Sequence, residues 1–208
     1  YLENSLHGRT HQTLAVTGMK MWHPFENFQL DTYVAKDYYP SDHLSFEEQM
    51  NISLESIKQI LKENNNISCM IVEVVQGNGG VHFPHPEYFI KLKEILKEED
   101  VLLIFDEAQT GYGRLGTTFG FMKFNVIPDI LCTAKALGAG ISISSVTTTD
   151  KIAETFKVPS ASTNGGNMLA CSSAIAVIDY LQEFKLVEQV NEMGNYFEQL
   201  LNEINESS

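Results

Sequence analysis

Two residue types able to do chemistry together stand at the ends of two apolar runs. Residues 101–105 (VLLIF) run into Asp106-Glu107, and residues 130–134 (ILCTA) run into Lys135. Apolar runs this short, bounded by polar and Gly-rich sequence, read as buried strands. Strand ends that open into loops are where open α/β sheets place their ligands. A lysine amine condenses with an aldehyde to give a Schiff base, and an aspartate carboxylate keeps a pyridinium nitrogen protonated. Brought together, the two suit pyridoxal phosphate. Residue types alone leave other readings standing: Asp-Glu as a metal-binding or ATPase-type acidic pair, and Lys135 as a solvated surface amine.

The elements that must position this pair alternate between the periods of strand and helix. Residues 46–62 carry Met50, Leu54, Ile57 and Leu61 at helical spacing. Ser45 and Glu48 form a capping-box pattern at the start of that helix, and Asn64-Asn65-Asn66 ends it. Residues 68–75 (SCMIVEVV) read as a buried strand interrupted by Glu73, a carboxylate that needs a partner inside an apolar run. Residues 86–99 predict a helix with Pro86 at its first position and Leu92, Ile95 and Leu96 on its buried face. Residues 141–149 predict a β-branched strand. Residues 168–184 and 186–204 predict two long helices, each with one apolar side. Residues 10–16 suit a short helix. The aromatic stretch 19–40, with Trp22, Phe25, Phe28, Tyr33, Tyr38 and Tyr39, reads as a loop with a short strand over 32–35.

The chain of 208 residues suffices for a domain with its own core, and 43% apolar content fits a globular protein. A net charge of −13 argues against non-specific nucleic-acid binding, which needs a basic surface. No apolar run reaches transmembrane length, and no basic segment followed by an apolar core opens the chain. Cys69, Cys132 and Cys171 lie far apart without CxxC spacing, so no metal site is expected of them. They read as buried free thiols in a reducing compartment, which implies a cytoplasmic location.

Four ordered motifs add to this reading: NSLHGRTHQTLAVTG (4–18), VEVVQGNGG (72–80), DEAQTGYGRLG (106–116) and PDILCTAKALGAG (128–140). Together they resemble the class III (omega) pyridoxal-phosphate aminotransferases, a family that includes the ornithine, acetylornithine and 4-aminobutyrate aminotransferases. The resemblance implies an α/β fold, the large domain of a fold-type I transferase: a mainly parallel, mixed sheet flanked by helices, here incomplete. Residues 1–184 would be part of the cofactor-binding domain, and 185–208 a helix leading toward a small domain. A phosphate-binding turn would precede Tyr1 and an Arg for the substrate carboxylate would follow Ser208. The chain therefore reads as the middle of such an enzyme: a fragment, an incomplete stretch of a longer protein, or a degenerate gene product.

By the same resemblance, Lys135 bonds the cofactor and then shuttles a proton, which asks for a partly deprotonated amine; desolvation at a strand end favours that form. Asp106 holds the pyridine nitrogen and Gln109 contacts the ring hydroxyl, while Glu107 is structural. Glu73 lies near the site. Thr163, in SASTNGGN (160–167), reaches the cofactor phosphate of a neighbouring subunit, which implies a homodimer. Leu6 stands where the family has an aromatic that stacks on the ring, and His7 faces cofactor or substrate. Other departures from the family pattern are Val74 for Pro, Asn78 for Glu, Ser160 for His, Met168 for Pro, and Gly138-Ala139-Gly140-Ile141-Ser142 after the Lys. The family's Glu at position 78 pairs with the substrate Arg; an Asn cannot. The expected activity is transfer of an amino group from an amino acid, ω-amino donors included, to a 2-oxo acid. A non-catalytic remnant that serves as a binding module, or a related aminomutase or racemase, uses the same motifs.

Overall fold

A computed structural model describes residues 1–24, 31–41 and 43–206. The two apolar runs and the segment around Glu73 form three parallel strands: β1 (Cys69–Glu73), β2 (Leu102–Asp106) and β3 (Ile130–Thr133). β4 (Ser145–Thr148) returns antiparallel beside β3, giving the order β1-β2-β3-β4. The sheet is thus mixed and mainly parallel, as expected.

Helices accompany the strands in chain order: α1 (His11–Ala15), α2 (Phe46–Glu63), α3 (Gly77–Gly80), α4 (Tyr88–Glu98), α5 (Asp150–Ala153), α6 (Met168–Glu183) and α7 (Leu186–Glu206). The α2 start follows the capping box: Ser45 Oγ accepts from Glu48 N at 3.2 Å, and Glu48 Oε2 accepts from Ser45 N at 2.8 Å. Helix α2 buries Met50, Leu54, Ile57 and Leu61, the stripe read from its spacing. These pack with Leu92 and Leu96 of α4 and with Met70, Val72, Leu103 and Phe105 of the sheet, so the core lies between α2, α4 and one sheet face. Phe89 is its aromatic centre, meeting Tyr38, Tyr88, Phe105 and Phe124 edge to face.

Several expectations give way. Pro86 is not the first residue of α4. It lies in a turn in which Tyr88 N donates to His85 O at 2.9 Å, and Glu87 is the cap. The strand expected over 32–35 reduces to one bridge, Leu2 with Ala35. Its flanks are taken by other partners: Thr32 Oγ1 donates to Ala15 O and Lys36 N to Ser56 Oγ. Phe25 and Phe28 lie outside the described residues. β1 stops at Glu73 because its partner β2 stops opposite, at Asp106. β4 starts at Ser145, not 141, because β3 ends at Thr133 and Ile141 N is taken by Gly138 O at 2.9 Å.

The thiols are free, yet Cys69 is exposed at the sheet edge, and Cys132 and Cys171 are only partly buried. The apolar sides of the last two helices are also largely uncovered. α6 buries Ala170 and Ala174, whereas Leu169, Ile175 and Tyr180 are exposed. On α7, Val190, Met193, Phe197, Leu200, Leu201 and Ile204 are exposed. That helix is fastened to the sheet layer through Asn191, whose Nδ2 donates to Gly116 O at 2.7 Å. Gly116 has φ +74° and faces the Asn191 side chain so closely that a Cβ would collide with it.

Candidate active site

The parallel register decides the geometry. Glu73, Asp106 and Cys132 are consecutive ladder partners across β1, β2 and β3. All three strands therefore present their carboxyl ends at one edge of the sheet. Lys135 follows the last residue of β3 by two positions, so the amine and the acid emerge at that edge from neighbouring strands.

Asp106 is held by two donors. His7 Nδ1 donates to its Oδ2 at 2.8 Å, and Ala108 N donates to its Oδ1 at 3.1 Å. The His7 side chain is 1% exposed, and its Nε2 is buried with no hydrogen-bond partner among the described residues. The loop carrying His7 is fixed by short-range bonds. Ser5 Oγ donates to Leu2 O (2.7 Å), Gly18 N to Ser5 O (2.9 Å), and His7 N to Thr17 Oγ1 (3.1 Å). Leu6 contributes its backbone: its N donates to Glu73 Oε2 at 3.1 Å. One loop thus bonds two carboxylates with consecutive residues.

Glu73 is 4% exposed. Burial pushes its carboxyl up to about 7, the Asp106 charge adds to this, and the Leu6 amide and the Lys135 charge oppose it. Lys135 is thus close enough for its charge to act on Glu73. Glu107 points away from the cleft. It is fully buried and accepts from Gly120 N (2.6 Å), Phe121 N (2.8 Å) and Thr110 Oγ1 (3.1 Å), the structural part expected of it. Burial raises its carboxyl, and these bonds pull the other way.

Gln109 Nε2 donates to Asn78 Oδ1 at 2.7 Å, joining the turn after β2 to α3. Gly77 makes this possible, because a Cβ there would overlap the Gln109 carboxamide. Lys135 opens a 3₁₀ turn through Gly138 with φ 45°, a left-handed conformation unusual for a side chain of its size. Lys135 is exposed rather than desolvated. It lines a cleft of about 610 Å³ with Ser142, Ser144, Ser162, Asn164 and Asn167. Thr163 is exposed on the loop between two of those lining residues. Leu6, His7, Glu73 and Asp106 are gathered directly and the Lys135 charge acts on Glu73, whereas Gln109 is tied to Asn78. Nothing in residue type or spacing signals the Gln109–Asn78 bond, or a hydroxyl chain running from Tyr112 through Thr133 to Ser145. Both depend on register and loop packing.

The profile of the family described as Aminotransferase class-III matches residues 1–208. Acetylornithine aminotransferase of Aquifex aeolicus (strain VF5) is 39% identical over 204 residues, covering 97% of this chain and 50% of the relative. The acetylornithine aminotransferase of Clostridium acetobutylicum is 40% identical over 205 residues, covering 97% and 49%. The chain spans about half the length of the curated relatives it matches. Among solved structures, an (S)-enantioselective omega-transaminase from Thermomicrobium roseum superposes with TM-score 0.89 at 29% identity, covering 99% of this chain and 48% of that one. The ornithine aminotransferase of Toxoplasma gondii, solved with partial occupancy of PLP at its active site, superposes with TM-score 0.84 at 28% identity, covering 97% and 45%. The architecture is the fold-type I transaminase large domain, in part. With its motifs at one sheet edge and its whole length matched, the chain belongs to the class-III aminotransferase family.

Proposed function

We propose that this chain carries the cofactor-holding centre of a pyridoxal-phosphate-dependent transaminase. It moves an amino group from an amino acid, ω-amino donors included, to a 2-oxo acid. The observation that carries the reading is the emergence of Asp106 and Lys135 from neighbouring parallel strands at one sheet edge, with Glu73 opposite Asp106 on the next strand and within reach of both charges. The names of the two curated relatives support an ω-amino donor.

The residues fit that cofactor. Asp106 is a carboxylate fixed by His7 and Ala108, suited to a pyridinium partner. Lys135 offers an exposed primary amine at a polar cleft. Pyridoxal phosphate, when bound, supplies an aldehyde for amine capture and a ring that accepts electrons. Lys135 is the residue whose amine would hold the aldehyde, and the same amine would be the base that takes a proton from the substrate carbon and returns it. Asp106 would hold the ring nitrogen, and His7 keeps the Asp106 carboxylate aimed. Leu6 offers an apolar face to the ring, Gln109 a carboxamide to its hydroxyl, and Glu73 a buried acid beside both charged groups. Across the full exchange the donor trades its amino group for a carbonyl oxygen and the acceptor does the reverse. Thr163 serves the phosphate of a second subunit, so the working unit is a homodimer. Residues 1–184 form the cofactor domain, and 185–208 lead out of it. Its location is a reducing compartment, the cytoplasm.

A second reading, a cofactor-domain remnant acting as a binding module, is favoured by the exposure of Lys135 and of the α6 and α7 apolar faces. Purified chain mixed with pyridoxal phosphate is expected to show an absorption band above about 400 nm. Lys135→Ala is expected to abolish it. Survival of the band in that variant ends the assignment of Lys135. Cofactor binding without any amino-group exchange favours the remnant.

A further inference from the structure

Three hydroxyls form a chain beside Lys135. Tyr112 Oη lies 3.1 Å from Thr133 Oγ1, which lies 2.9 Å from Ser145 Oγ. Thr133 and Ser145 are directly opposite in the β3–β4 ladder, so their side chains share a face. Thr133 is 3% exposed and is the last residue of β3. Tyr112 comes from the loop after Asp106 and has φ 55°. The chain of hydroxyls therefore joins the loop that follows Asp106, the strand that delivers Lys135 and the strand that returns beside it.

What lies downstream needs such a clamp. Ala134 is extended (φ −161°, ψ −151°), and Lys135 then turns left-handed at φ 45°. A side-chain-bearing residue persists in that region only where its surroundings over-determine it. The far end of the turn is held by Ser173 Oγ, which donates to Gly138 O at 2.8 Å. At the near end, Thr133 Oγ1 can donate once and accept from the other side, so a single side chain satisfies both neighbours. The geometry points to the Tyr112–Thr133–Ser145 hydroxyl chain as the device that positions Lys135, with Thr133 as the residue that fixes where the amine leaves the sheet. The cofactor part of its test rests on the transaminase reading; the backbone part does not.

Thr133→Val keeps the shape and removes the hydroxyl, Thr133→Ser keeps the hydroxyl, and Thr148→Val is the control. Thr148 Oγ1 donates to Asp129 O at 2.7 Å at the opposite end of the same ladder. Two readouts are compared with melting temperature: amide hydrogen exchange over residues 134–138 without cofactor, and pyridoxal phosphate affinity from the Lys135-dependent band. Thr133→Val is expected to raise exchange and weaken affinity about tenfold each, the size of one lost hydrogen bond. Thr133→Ser is expected within about twofold of the unmodified chain. Thr148→Val is expected to lower the melting temperature similarly and to move neither readout. Equal behaviour of Thr133→Val and Thr148→Val, or failure of Ser to rescue, overturns the inference. If Thr133→Val does not fold, Tyr112→Phe, which deletes one oxygen, is read in the same way. If the unmodified chain binds no cofactor, the transaminase reading fails, and exchange alone decides the role of the hydroxyls.

Discussion

The carboxyl edge of the sheet and the α6–α7 pair treat their side chains in opposite ways. At the sheet edge, Glu73, Asp106, Glu107 and Thr133 each find partners within the chain, often from segments far away in sequence. On α6 and α7, Leu169, Ile175, Met193 and Phe197 are largely exposed to solvent. A polar group buried without a partner carries a heavy penalty, so the edge must be completed locally. Apolar side chains at a helix surface tolerate exposure at smaller cost. The sheet edge and the uncovered helix faces thus differ in how much each depends on the chain itself.

That contrast can be sharpened by substitution. Phe89→Ala, in the core beneath the edge, is expected to cost about 3–5 kcal/mol in urea or thermal unfolding. Glu107→Ala is expected to cost about 2–4 kcal/mol, because it strands the amides of Gly120 and Phe121. Glu73 gives the contrast a pH signature. Its folded value, about 7, lies above its ordinary 4.5, so the folded state binds the proton more tightly than the unfolded chain. Its contribution is complete below pH 4.5 and is lost as pH rises through 7, amounting to at most about 3 kcal/mol. Glu73→Gln is expected to flatten stability across that window; an unchanged slope would remove Glu73 as its source. Phe197→Ser, on the exposed face of α7, is expected to change stability by no more than about 0.5 kcal/mol. A loss as large as that of Phe89→Ala would show that the face is covered in solution.

Much of the scaffold was legible because its signals are local. The Ser45–Glu48 box and the Met50–Leu61 stripe mark α2 without reference to anything else. The apolar runs before Asp106 and Lys135 did the same for β2 and β3. Where a signal depends on a partner, sequence could not reach. Residues 32–35 have strand character, yet only Ala35 pairs. Residues 141–144 are β-branched and serine-rich, yet β3 is too short to receive them. The spacing of α6 and α7 tells which face is apolar, not whether anything lies against it. The site divides in the same way. Asp106, Lys135 and His7 are readable as types, whereas the Gln109–Asn78 bond and the Thr133 hydroxyl contacts exist only once strands and loops are in register.

The account rests on one lysine being chemically distinct from the chain's other lysines because of where β3 delivers it. Incubation with pyridoxal phosphate, reduction with borohydride and peptide mass mapping measures this directly. The expected result is a label confined to Lys135 at equimolar cofactor. A label spread over surface lysines such as Lys58 and Lys62, with Lys135 unmarked, would contradict it.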